Sequence, residues 1–198
     1  MNLIGLTGIS GSGKSSAGRI LREMNVPVID CDAVCRQVET KGEPCLKELA
    51  EKFGSSILDQ DGNLLRRKLA EIAFSSDEGK AALNSIVHKY ILSEIDTRIS
   101  ELSSSYCIIE APQLFESGLD RKCSLIVCIA ASDKAVKDRI ILRDGLNENE
   151  ASRRLSSSLG QDFLKRNSDI ILMNTGSVET LRLLMTHLKK ELDDRFSA

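Results

Sequence analysis

Lys14 and Ser15 close the octet Gly8-Ile9-Ser10-Gly11-Ser12-Gly13-Lys14-Ser15, which has the G-x-x-x-x-G-K-[ST] spacing of a phosphate-binding loop. The glycines let successive backbone N–H groups turn inward around an anion. A helix starting at the end of the loop adds its positive N-terminal end. In such a loop Lys14 reaches the β- and γ-phosphates of a nucleotide, and the Ser15 hydroxyl offers an oxygen to Mg²⁺. The required context is present. Leu3–Thr7 reads as a short buried strand before the loop, and Ala17, Ile20, Leu21 and Met24 repeat at helical spacing after it. Lys14 is expected on an exposed loop, where its removal would open no core.

Further chemistry-bearing residues gather near apolar runs. Asp30-Cys31-Asp32 follows the second such run. A carboxylate there could accept the proton of an attacking hydroxyl or hold a metal-bound water; equally, Asp32 could cap the helix containing Val34 and Val38. Arg139, Arg143, Arg153 and Arg154 form a basic cluster of the kind that stabilises charge on a transferring phosphoryl group. Arg66-Arg67-Lys68 and His88-Lys89 form a second basic set, as an anionic acceptor would need. The cysteines, Cys31, Cys35, Cys45, Cys107, Cys123 and Cys128, show no C-x-x-C spacing and are read as reduced thiols rather than metal ligands or disulfides.

The elements that must position these residues are legible in the hydropathy. Five apolar runs, Leu3–Thr7, Val26–Asp30, Tyr106–Glu110, Leu125–Ala130 and Asp169–Met173, are nearly continuous in hydrophobicity and separated by helical patterns. That is the pattern of a parallel sheet buried on both faces, with ligands gathering beyond the carboxyl ends of the strands. The strand-end candidates are therefore the phosphate loop, Asp30, Asp32, Glu110 and Asn174-Thr175-Gly176. About 75 residues separate the second and third strands, more than one crossover needs. Helical stripes there run through Leu46, Leu49, Ala50 and Phe53; through Leu65, Leu69, Ile72 and Phe74 with Asn63 as N-cap; and from Leu83 to Leu102. This is an inserted helical subdomain, about residues 33–104. A second insertion follows the fourth strand. Ser132 caps its first helix, Asp144-Gly145 ends it, and Asn147 with Glu150 have capping-box spacing for the next. Residues 139–166, charged, serine-rich and thinly apolar, read as a mobile lid. Ser177 starts the last helix. The whole chain, 1–198, reads as one domain with these two insertions.

Composition narrows the class. Apolar residues make up 41% and charged residues 28%, as in ordinary globular proteins, and the formal net charge of −2 offers no global attraction to nucleic acid or membrane. No apolar run approaches the ~20 residues of a membrane span, and the first residues already form a core strand rather than a targeting segment. The cytoplasm is the expected location; the oligomeric state stays open. Asp59-Gln60-Asp61-Gly62 matches the D-x-x-G pattern of nucleotide switches, but it falls in a turn between helical stripes, and no N-K-x-D segment accompanies it. A kinase is favoured over a GTP-binding switch.

The chain resembles the dephospho-coenzyme A kinase family over nearly its whole length. The matching segments, in order, are Ile4 to Ser15; Val28-Ile29-Asp30-Cys31-Asp32 with Arg36-Gln37-Val38; Asp61-Gly62 with Leu65-Arg66-Arg67 and Phe74; Leu83-Asn84 with Ile86 and His88; Ala111-Pro112-Gln113-Leu114-Phe115-Glu116; Arg139, Arg143-Asp144 and Arg154; and Asn174-Thr175-Gly176-Ser177. Three departures stand out: Lys89 where the family usually has proline after the histidine, Gln113 in the Pro-Leu-Leu segment, and Ser158 in place of a glutamine. The resemblance implies a three-layer α/β phosphate-loop (P-loop) kinase fold with a five-stranded parallel sheet, an inserted helical substrate-binding subdomain and a lid. It implies transfer of the γ-phosphoryl group of ATP, with Mg²⁺, to the ribose 3′-hydroxyl of dephospho-coenzyme A, the last step of coenzyme A synthesis. By the same carry-over, Asp32 is the catalytic base, acting with Lys14 and Arg143. Gly8, Gly11, Ser12, Gly13, Lys14, Ser15, Ser16, Arg139 and Asn174 hold the nucleotide, and Ser15 the metal. Asp30, Arg66, His88 and Glu116 are on the acceptor side.

Overall fold

The five apolar runs pair into one sheet, all parallel, in the order β2-β3-β1-β4-β5. The strands are β1 Asn2–Thr7, β2 Val28–Asp30, β3 Tyr106–Glu110, β4 Leu125–Ala130 and β5 Ile170–Met173. The computed structural model describes residues 1–156 and 159–196. β2 starts later than its apolar pattern suggests because Pro27 has no N–H for the ladder; its carbonyl still accepts from Ile108. Val26 is buried all the same. The chain divides into two compact units, Met1–Asp30 with Leu102–Ala198, and Cys31–Glu101.

The first unit holds the sheet. Helix α1, Lys14–Glu23, lays Ala17, Ile20 and Leu21 against Ile4, Leu6, Ile108 and Val127 of the strands. The last helix, α9, Val178–Phe196, adds Leu181, Met185, Leu188 and Leu192 to the same core. It starts as its sequence predicts, with the Ser177 hydroxyl accepting from the Thr180 N–H. Neighbouring strands put Asp30 in register with Glu110, and Leu6 in register with both Glu110 and Val127. β3 therefore lies between β1 and β2, which makes Glu110 the strand-end carboxylate next to the phosphate-loop strand.

The insertion after β4 contains α6, Asp133–Asp144, α7, Glu148–Ser156, and α8, Gln161–Arg166. Its caps follow the sequence reading. Ser132 Oγ accepts from the Ala135 N–H, Gly145 ends α6 with a left-handed backbone, and Asn147 and Glu150 exchange capping bonds at 2.8–3.0 Å. The segment is less thinly apolar than its composition suggests. Ala131, Val136, Ile140 and Ala151 form a buried cluster with Ile9, Ile141, Leu146 and Leu155 packed on it.

The second unit is helical: α2 Cys31–Val38, α3 Pro44–Phe53, a 3₁₀ turn at Ser55–Ile57, α4 Arg66–Ala73 and α5 Asp77–Ser100. Asn63 does not cap α4. Its side-chain amide and backbone N–H bind the Asp59 carboxylate in the preceding turn, and Leu65 takes the cap position. The D-x-x-G residues are thus a local turn in which Asp59 accepts several N–H groups, and these hold its carboxyl below the usual range. The long stripe ends at Ser100 rather than Leu102. Lys89 lies inside this unbroken helix and donates to Glu48 Oε2 at 2.6 Å, beside the Tyr90 hydroxyl at 2.7 Å. A proline there would lack the helical N–H and interrupt α5; lysine instead ties α5 to α3.

Candidate active site

The phosphate loop is held by side chains from beyond its own octet. Gly8, Gly11 and Gly13 have φ of 155°, 81° and 102°, and this chirality turns the backbone around the loop. The outward carbonyls are taken by two side chains. Arg139 Nη1 donates to the Gly11 and Ser12 carbonyls at 3.1 and 3.3 Å. Asn174 Nδ2 donates to the Ser12 carbonyl at 2.7 Å. Within the octet the Ser12 N–H donates to the Ile9 carbonyl at 3.1 Å, so an anion would be met by the N–H groups of its neighbours. A side chain at Gly13 is excluded on two counts: its φ, and a Cβ that would lie 2.2 Å from Asn174 Nδ2. Helix α6 presses on the same loop, since a Cβ at Gly11 would come within 2.8 Å of the Val136 carbonyl. Ser12 is fully buried, and its Oγ has no hydrogen-bond partner within the protein. A buried polar atom in that position suits a ligand oxygen.

Lys14 differs from its expectation. It is not an exposed loop side chain: it opens α1 and is 8% exposed, with Nζ 3.0 Å from Glu110 Oε1. The other carboxylate oxygen, Oε2, accepts from Arg22 Nη2 at 3.3 Å. Burial beside a strand-end acid draws Lys14 inward. The sequence marks Glu110 as one of several strand ends and as the next candidate base after Asp30 and Asp32. Gly18 was the neglected signal, because glycine inside a helix costs about 1 kcal/mol against alanine and often marks a close approach. Here a Cβ at Gly18 would meet Glu110 Oε2 at 2.3 Å.

Arg143 sits at the end of α6, where Nη2 donates to Ser10 Oγ of the loop at 3.2 Å. Asp144 receives Arg143 through two bonds, 2.7 and 2.9 Å, and also binds Arg154 Nη1 at 2.9 Å. Facing both guanidinium groups, Arg143 foremost, the Asp144 carboxyl lies below its ordinary range. The two lid arginines assigned from the sequence, Arg139 and Arg143, therefore both touch the phosphate loop. Ser15 is exposed and Ser16 half-buried in the first turn of α1. Glu116 is exposed in the turn after β3, and Ser158 lies outside the described residues.

In the helical unit Asp32 falls within the first turn of α2, exposed, rather than at the cap position before it. Its charge favours the positive end of that helix. Arg66 begins α4 and pairs with the buried Glu39 at 2.7 Å, and the Cys35 thiol donates to the other Glu39 oxygen. Leu64, Leu65, Arg66, Arg67, Lys68 and Glu71 line an open hollow of about 440 Å³ at that end of α4. His88 is half-buried on α5.

Among the described residues no three His, Cys, Asp or Glu side chains cluster to hold a metal alone. Mg²⁺ takes hard oxygen donors, hydroxyl and carboxylate among them. The Ser15 hydroxyl is such an oxygen, and the Asp30 and Glu110 carboxylates end adjacent strands.

A parallel sheet ordered β2-β3-β1-β4-β5, with a phosphate loop between β1 and α1, defines the P-loop kinase class. The chain belongs to the dephospho-CoA kinase family, whose family model matches residues 2–180. The dephospho-CoA kinase of Corynebacterium efficiens is 37% identical over 192 residues, which cover 96% of each chain. TT1252 from Thermus thermophilus superposes with a TM-score of 0.85 at 30% identity, covering 96% of this chain and 97% of that one. The dephospho-CoA kinase of Campylobacter jejuni shares the fold, with a TM-score of 0.73 at 23% identity over 98% of both chains. Family membership makes the chain a kinase with ATP as its phosphoryl donor.

Proposed function

We propose that the protein transfers the γ-phosphoryl group of ATP to the ribose 3′-hydroxyl of dephospho-coenzyme A, the last step of coenzyme A synthesis. The observation that carries this reading is the loop itself: its outward carbonyls are held by Arg139 and Asn174, in a chain matched by the family over residues 2–180. The loop backbone from Gly8 to Gly13, with Ser12, Ser15 and Ser16, receives the nucleotide phosphates. Lys14 offers its charge to the β- and γ-phosphates. Arg143, held by Asp144 beside Ser10, stabilises charge that develops on the transferring group. Ser15 would hold Mg²⁺, which would supply positive charge to neutralise the phosphates.

Asp32 is the proposed base for the attacking hydroxyl, with Asp30 as the supporting carboxylate. Phosphoryl transfer depends mainly on positioning and electrostatics. The acceptor carries phosphate of its own, and Arg66, His88 and Glu116 are its proposed contacts. Arg66 is well placed for such a role, since Glu39 steers its guanidinium while leaving it half-exposed. The proposed setting is the cytoplasm, with small-molecule substrates only.

A coupled ADP-release assay with dephospho-coenzyme A, adenosine, AMP and shikimate as acceptors tests the reading. Turnover confined to dephospho-coenzyme A is the expected result. Equal turnover with plain nucleosides, or none with dephospho-coenzyme A, would overturn it.

A further inference from the structure

Glu110 is the most buried charged side chain among the described residues of the first unit, at 2% exposure, and the proposed reaction gives it no role. Its surroundings are specific. Lys14, Gly18 and Arg22 are spaced by four residues and so lie on one face of α1. The carboxylate spans that face, with Oε1 on Lys14 at 3.0 Å and Oε2 on Arg22 at 3.3 Å. Between the two cations it rests against the bare helix backbone at Gly18, where any Cβ would collide with it. Arg22 is itself directed by a second bond, from Nε to the Val28 carbonyl at 3.4 Å. Lys14 Nζ is thus engaged by a buried anion, whereas its proposed task is to meet phosphate.

We propose that Glu110 is a positioning residue that competes with the nucleotide phosphates for Lys14, and that Arg22 weakens this competition by sharing the carboxylate. The physical reason is the cost of leaving a buried carboxylate without a partner. When Lys14 turns to the phosphates, Glu110 still has Arg22, so the transfer leaves no orphaned charge. Without Arg22, Lys14 is the main neutraliser of Glu110 and is released less readily. The pair therefore sets the intrinsic affinity of the loop for a polyanion before any metal is considered. This rests on the reading that the loop binds nucleotide phosphates.

The test is calorimetric titration of ATP into the purified protein with EDTA present, repeated with Mg²⁺. Glu110→Gln keeps the shape and removes the competitor, so metal-free ATP should bind about fivefold more tightly, at the low end of ordinary coupling between sites. Arg22→Gln should bind about as many-fold more weakly, and Arg22→Lys should restore the wild-type value. In the double variant Arg22→Gln with Glu110→Gln, the Arg22 effect should disappear, because there is no carboxylate left to share. A merely structural role would weaken binding in both single variants, with a lowered melting temperature, and that result overturns the proposal. Glu110→Gln that leaves metal-free binding unchanged but weakens MgATP binding also overturns it, by making Glu110 a metal-side group. Should Glu110→Gln fail to fold, Arg22→Gln against Arg22→Lys decides alone, since Arg22 is partly exposed. Wild-type protein that binds no ATP would refute the phosphate-loop reading itself, a different failure from wild-type binding without the opposed responses.

Discussion

The Asn174 side-chain amide donates to the Ser12 main-chain carbonyl at 2.7 Å, joining the end of β5 to the middle of the phosphate loop. Asn174 was expected to touch nucleotide. Its hydrogen bond also shapes the loop proposed to receive the phosphates, and its own Oδ1 is buried without a protein partner. Asn174→Ala should leave the Ser12 carbonyl with only the longer bond from Arg139 Nη1 at 3.3 Å, and cost about 0.5–1.5 kcal/mol. ATP affinity should fall with it. Thermal unfolding and ATP titration on the one variant check both.

Lys14→Ala should lower kcat/KM by about 10²-fold or more, comparable to losing one preorganised donor. Because Lys14 also neutralises Glu110, stability should fall as well, by about 1–3 kcal/mol given that Arg22 remains. Urea denaturation separates the two effects. Adding Glu110→Gln to Lys14→Ala should recover stability without recovering turnover; a double variant less stable than the single one would contradict the ion-pair account.

Asp32→Asn should reduce kcat by about 10²- to 10⁴-fold, as expected for a lost general base. Its charge in the first turn of α2 contributes about 0.3–1 kcal/mol of charge–dipole energy that Asp32→Asn removes. The comparison is kcat and MgATP affinity for Asp30→Asn and Asp32→Asn, with melting temperature as control. Full kcat in Asp32→Asn alongside a loss in Asp30→Asn would reverse the assignment.

Asp144 holds Arg143 against Ser10 and at the same time holds Arg154. Asp144→Ala should therefore behave as a milder Arg143→Ala, with kcat down by about tenfold and the KM for ATP less affected. Steady-state kinetics of the two variants and their double test this; fully additive losses would show that Asp144 acts independently of Arg143.

Burial raises the thiols of Cys45 and Cys123 to about 12 and those of Cys107 and Cys128 to about 11, from an ordinary 9.0. Folded protein should alkylate slowly with iodoacetamide at pH 8.5, and urea-unfolded protein quickly, since the thiolate is the reactive form. The sign for stability follows. Above pH 9 the unfolded chain releases thiol protons that the folded chain retains, so stability is whole below 9 and falls as pH rises toward 11–12. Urea midpoints at pH 8 and pH 10.5 measure it.

The sequence alone determined the sheet's membership, the caps of three helices and the phosphate loop. These are local matters: a buried parallel strand is a run of apolar residues, a cap is one side chain and the N–H groups it faces, and the loop is a fixed octet. Ser132, Asn147 with Glu150, and Ser177 cap as their spacing predicts. Asn63 failed because Asp59 competed for it from four residues away, and a capping pattern cannot rank two local partners. The family was legible too, since its motifs keep their order along the chain. The tertiary structure alone decided which strand lies beside which. Placing β3 between β1 and β2 brought Glu110, 96 residues distant in sequence, onto Lys14 and turned an expected loop cation into a buried ion pair. It likewise set Arg139 and Asn174 against a loop whose own sequence names neither. Such pairings depend on strand order and on the space around a glycine. Both arise from how distant segments pack, which no local pattern encodes.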